Sequence, residues 1–163
     1  MSIHVSRVDD IVISPAMNRD KERIVALVIR ILQEFGFQPD FESSEADLQD
    51  IEATYRNSGG LFMLVEDQDG QLLGTFAVQR LDAVTCKLRK MYLVPEARGR
   101  GLGRYMLDQA LQDARRLGYT RMIIETVRVL EAAIRLYTRA GFVPVQQEAG
   151  SPRCDQVFAL DLE

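Results

Sequence analysis

Apolar positions along this chain recur with two periods, and the switching between them predicts its architecture. Ile24, Leu27, Val28, Ile31, Leu32 and Phe35 repeat at helical spacing, after Asn18 or Asp20 as a cap and before Gly36 as a left-handed stop. A second helix is predicted over residues 45–55, with Ser43 or Ser44 as its cap and Leu48, Ile51 and Tyr55 on one side. Met106, Leu107, Ala110, Leu111, Ala114 and Leu117 mark a third over 101–117, ended by Gly118. A fourth covers 129–140, stopped by Gly141. Short runs of strand character lie between the helices. The first is Ile11-Val12-Ile13; 61–66 and 71–81 follow, joined by the turn Asp67-Gln68-Asp69-Gly70. Residues 86–94 form a central strand, 120–126 a strand that follows a helix as in a parallel unit, and 142–145 and 156–162 the last two. The order predicts a mixed sheet with helices on both faces.

Most of the candidate chemistry lies in residues 86–104. Alternation puts Lys87, Arg89, Met91 and Leu93 on one face of the central strand, and Cys86, Leu88, Lys90, Tyr92 and Val94 on the other. Pro95 ends the ladder because it has no N–H to donate. Arg98-Gly99-Arg100-Gly101-Leu102-Gly103-Arg104 then opens the third helix. Amides without intrahelical partners, the helix dipole and three arginines together suit a phosphate group. The spacing G-x-G-x-G is neither the dinucleotide fingerprint nor a P-loop, so neither a nicotinamide nor a nucleoside triphosphate is indicated.

The strand end Met91-Tyr92-Leu93-Val94-Pro95 followed by Arg98-x-x-Gly101-x-Gly103 resembles the acetyl-CoA site of the GNAT superfamily of N-acetyltransferases. Residues 133–142, AIRLYTRAGF, resemble that family's "A-x-x-L-Y-x-x-x-G-F" helix end. The resemblance implies an α/β fold with a mixed, mostly antiparallel sheet. It implies acetyl-CoA as acyl donor, its pyrophosphate on the amides of Gly99, Arg100, Gly101, Leu102, Gly103 and Arg104, with Arg98 beside them. The pantetheine arm would bond to backbone near Met91, Tyr92 and Leu93. An amine would attack the thioester directly, and Tyr137 would be the acid that protonates the departing sulfur. In many relatives an acidic residue stands where this chain has Lys87, so the usual base is missing. Glu125 on the next strand is the replacement by position; its alternative part is a salt bridge to Lys87 or Arg89. Glu66 is a weaker candidate. Lys87 and Arg89 would line the acceptor site and favour an acceptor with a carboxylate or phosphate beside its amine. Cys154, in Arg153-Cys154-Asp155, could form an acetyl-enzyme, though a buried structural thiol is the commoner use.

Composition narrows the remaining choices. A chain of 163 residues with 47% apolar and 27% charged residues fits one globular domain over 1–163, with 1–9 as an N-terminal arm that includes His4. The net charge of −4 argues against nucleic acid and anionic membranes as partners. With no apolar signal or spanning run, a cytoplasmic protein with two reduced cysteines is expected. One histidine and two scattered cysteines give no metal spacing. A sheet edge or the C-terminal strands could form a homodimer. The other function classes are a non-catalytic acetyl-CoA sensor, suggested by Lys87, and a nucleic-acid module using Lys87, Arg89, Lys90, Arg98, Arg100 and Arg104. Tyr92 is the lone aromatic within that cluster, which weakens the second.

Overall fold

The structure, a computed structural model, describes residues 6–8 and 10–163. His4 therefore lies outside the described residues. Within the stretch expected to be an arm, Ser6–Val8 instead form a strand, β1, that pairs antiparallel with β2 (Ile11–Pro15). The chain continues through α1 (Lys21–Glu34), α2 (Ile51–Thr54), β3 (Leu61–Glu66), β4 (Leu72–Arg80) and β5 (Thr85–Leu93). It ends with α3 (Leu102–Arg116), β6 (Arg121–Thr126), α4 (Glu131–Arg139), β7 (Val143–Pro144) and β8 (Gln156–Asp161). The sheet order is β1-β2-β3-β4-β5-β6-β8-β7. Among these neighbours only β5 and β6 run parallel, joined through α3. The mixed, mostly antiparallel sheet is thus present.

Burial of opposite sheet faces explains the helical stripes. Met106, Leu107, Ala110, Leu111 and Ala114 of α3 pack with Phe76, Val78, Cys86, Leu88, Met122 and Ile124. Ile24, Val28 and Leu32 of α1 pack with Leu48, Ile51, Tyr55, Phe62, Leu64 and Ala77 on the other side. Each buried Leu, Ile, Val, Met or Phe among them contributes about 1.5–3 kcal/mol on leaving water.

The predicted helix over 45–55 is broken. A 3₁₀ turn covers Ala46–Gln49, Asp50 takes an extended conformation (φ −143°), and α2 has four residues. Glu45 and Asp47 are both buried. Residues two apart lie on different sides of an α-helix, so one helix cannot turn both inward. Asp50 caps the short α2 by accepting from the Ala53 amide at 3.0 Å. Asn18 supports the same helix start from a distance, accepting from the amides of Ile51 (2.9 Å) and Glu52 (3.2 Å).

The central strand also departs from simple alternation. Thr75 pairs with Tyr92 and Ala77 with Arg89, so β5 has one residue more than β4 between these points. Lys90 occupies the bulge with φ 50°, the one non-glycine residue of positive φ among the described residues. A left-handed lysine costs about 1 kcal/mol. It is held by the Thr75 hydroxyl, which donates to the Lys90 carbonyl at 2.7 Å, and by its own ammonium, which donates to the Ser44 carbonyl at 2.9 Å. The bulge reverses the facing beyond it. Met91 and Leu93 pack with Cys86 and Leu88, while Lys90 turns to the acids that also attract Arg89. Gly74 lies beside this point on β4, where an added Cβ would stand 2.4 Å from the Tyr92 carbonyl oxygen. Gly74→Ala is therefore expected to lower unfolding stability by about 1–3 kcal/mol, the usual cost of overpacking, as read by urea denaturation.

Candidate active site

The β5–β6 ladder runs from Thr85–Arg121 to Leu88–Ile124. Beyond that point β5 pairs with β4 and β6 with β8, and the two strands separate. The wedge between them opens into a cleft of about 760 Å³. Its walls include residues 87–93 of β5, residues 124–127 at the end of β6, and Tyr137 of α4. One edge of β5 thus faces a cavity, leaving strand backbone for an extended ligand to pair with.

At one end of the cleft lies the glycine loop. Gly99 (φ 79°) and Gly101 (φ 75°) take the left-handed conformation, and Gly101 is the N-cap of α3. Tyr105 donates to the Gly101 carbonyl at 3.2 Å, so the amides ahead of it have no partner in the helix. An added Cβ on Gly103 would stand 3.7 Å from Leu136, so α3 begins close beside α4. Met91, Tyr92, Leu93, Arg98, Gly99 and Gly103 line the cleft. Arg100, Gly101 and Arg104 are exposed outside that lining, and the Leu102 side chain is buried in the core. Arg98 is engaged elsewhere: it makes a bidentate pair with Glu34 (2.6 and 2.9 Å) and donates to the Leu93 carbonyl at 2.9 Å. It ties the end of α1 to the end of β5. Unpartnered amides at a helix start, joined to an unpaired strand edge, fit the diphosphate and amide-bearing arm of acetyl-CoA.

Charged side chains fill the other end. Lys87 and Glu125 form an ion pair at 3.0 Å. The Glu125 carboxylate also accepts from the amides of Gly150 (2.9 Å) and Ser151 (3.1 Å). Burial pushes its carboxyl up, but these amides and the Lys87 ammonium outweigh burial and hold it below the usual carboxylate range. Glu125 is thus an anion with three donors on its carboxylate, and it clasps the loop before β8. Glu66 pairs with Arg23 at 3.0 Å and does not line the cleft.

Beneath the cleft is a network that sequence reasoning missed. Arg153 grips Glu45 with two bonds, at 3.0 and 3.1 Å. Lys90 pairs with Asp47 at 3.2 Å, and Tyr55 donates its hydroxyl to the same carboxylate. Arg89 donates to the Ser44 carbonyl at 2.9 Å and to Gln79 at 3.3 Å. Burial lowers the Lys90 pKa, and Asp47 offsets part of that effect. Glu45 and Asp47 fall within the helix expected over 45–55; their cationic partners lie far along the chain, on β5 and before β8.

Tyr137 is buried on α4, its ring edge-on to Phe142 with centroids 6.0 Å apart. Among the described residues its hydroxyl makes no hydrogen bond. Burial pushes its pKa up, so it keeps its proton at neutral pH. Cys154 lines the cleft half-buried, and burial pushes its thiol up as well, which disfavours the reactive thiolate.

Residues 25–142 match the model of the acetyltransferase (GNAT) family. An uncharacterised N-acetyltransferase of Schizosaccharomyces pombe is 31% identical over 141 residues, 86% of each chain. The crystal structure of a GNAT-family acetyltransferase from Staphylococcus aureus superposes with a TM-score of 0.87 at 24% identity, over 94% of this chain and 99% of that one. A putative acetyltransferase from Salmonella typhimurium, solved with its cofactor acetyl-CoA, gives a TM-score of 0.73 at 20% identity, over 95% of each. Among the described residues no helix is long and apolar enough to cross a membrane.

The Glu125 pair makes a pH prediction. A carboxyl lowered from its ordinary 4.5 adds stability above that pH and loses it as pH falls through the folded-state value. Wild type should exceed Glu125→Gln in urea stability at pH 7, and the gap should narrow as pH falls below 4.5 and through the folded-state value. A gap independent of pH would contradict the lowered pKa.

Proposed function

We propose that this chain, which belongs to the acetyltransferase (GNAT) family, acetylates the primary amine of a small molecule by direct attack within a ternary complex. It is an acetyl-CoA-dependent N-acyltransferase, in keeping with its family and its relatives. The observation that carries the finer reading is the continuity of one cleft. A phosphate-suited helix start, an unpaired strand edge and an unbonded tyrosine hydroxyl all open into it or border it.

Acetyl-CoA, when bound, supplies a thioester with a good leaving group. Residues 99–104 would hold its diphosphate through their amides, and Met91, Tyr92 and Leu93 its arm through backbone bonds. Arg98 supports the loop through Glu34 and the Leu93 carbonyl. The Tyr137 hydroxyl would give its proton to the departing sulfur and regain one from solvent. Glu125 has no open acceptor geometry comparable to that of a base, since Lys87 and two amides hold its carboxylate. Its proposed part is to position Lys87 and the loop before β8, and the amine loses its proton to water.

Calorimetric titration with acetyl-CoA tests the site. Wild type should bind, while Gly101→Glu and Gly103→Glu should weaken binding at least about tenfold by setting a carboxylate against the diphosphate. Tyr137→Phe should lower kcat by about 100-fold with the acetyl-CoA KM within about twofold. Binding without release of CoA to any amine would favour the non-catalytic sensor instead.

A further inference from the structure

The acceptor end of the cleft has an asymmetry in how its charges are exposed. Four cations, Lys87, Arg89, Lys90 and Arg153, line it. Of the three carboxylates that pair with them, only Glu125 is in the lining; Glu45 and Asp47 lie behind it. Side-chain exposure divides the same way for three of the four cations: Lys87, Arg89 and Arg153 keep 14%, 17% and 18%, against 6%, 0% and 2% for Glu125, Glu45 and Asp47, while Lys90 keeps 4% and lies as deep as the acids. The buried acids hold the cations in place, and the surface presented to a ligand is positive within a chain of net charge −4. Donor capacity also remains. The Lys87 ammonium has three N–H groups and one close carboxylate, and Arg89 has five N–H groups with two side-chain bonds.

We propose that the acceptor carries a carboxylate or phosphate beside its amine, and that Lys87, Arg89 and Arg153 bind this anion. The inference rests on the transferase reading of the same cleft. The amine attacks in its neutral form, having lost its proton to water. The neutral nitrogen forms its bond to the acyl carbon as the carbon–sulfur bond breaks. The nitrogen's proton passes to water, and the sulfur takes one from Tyr137. A polyamine, all cation, would be repelled by the same surface.

The test is initial rates of CoA release across paired acceptors. The pairs are α-amino acids with their amides and phosphoethanolamine with ethanolamine, with spermidine added. An anionic amine should exceed its neutral counterpart in kcat/KM by about tenfold or more, and the two pairs separate carboxylate from phosphate. Arg89→Gln and the charge-neutral double variant Lys87→Met/Glu125→Gln should bring that ratio towards one, with acetyl-CoA binding by calorimetry unchanged. Preference for the neutral amine or spermidine, or variants that leave the ratio intact, would overturn the proposal while the transferase reading stands. CoA release with no amine at all would overturn both.

Discussion

The site depends on one extra residue in β5. Lys90 enters the β4–β5 ladder with φ 50°, just beyond Leu88, the last residue of β5 to pair with β6. A flat continuous sheet would have spent both edges of β5 on its neighbours. The parting from β6 instead leaves one edge facing a cleft, and the bulge beside it turns Met91 and Leu93 inward to close the floor. Its cost is offset by tertiary contacts: the Thr75 hydroxyl on the Lys90 carbonyl, and Ser44 and Asp47 on the ammonium. Local strain of this kind persists only where its surroundings fix it.

Those surroundings explain why the stretch expected as one helix over 45–55 opens with a 3₁₀ turn over Ala46–Gln49. Glu45 and Asp47 must both face inward to reach Arg153 and Lys90. The network joins three distant parts of the chain: the turns before α2, the bulged strand and the loop before β8. Its acids are buried and its cations border the cleft, so a structural requirement and the electrostatics of the acceptor end come from the same residues. Buried ion pairs give limited net stability, but removing one partner is costly. The geometry of the cleft is therefore sensitive to each member.

Much of this was legible in the sequence, for physical reasons that differ by element. The stripes of α1 and α3 were readable because burial against a sheet enforces the period, and the glycine loop because left-handed turns favour glycine. The turn before β4 and the order of strands followed from local signals. The facing of Met91 and Leu93 was misread, since strict alternation assumes an uninterrupted ladder and Lys90 carries no bulge signature. Glu45, Asp47 and Arg153 were missed as partners because Glu45 pairs with a residue 108 positions on and Asp47 with Lys90 on another element. Arg98 reads as a phosphate ligand in sequence, and its brace between Glu34 and the Leu93 carbonyl is a contact that no local signal announces.

Hydrogen exchange of the backbone amides, with and without acetyl-CoA, tests the central claim most directly. If the separated edge of β5 and the start of α3 hold the donor, residues 89–93 and 99–104 should gain protection while β1 and β2 stay unchanged. Protection confined to other elements, with these two segments exchanging as before, would contradict it.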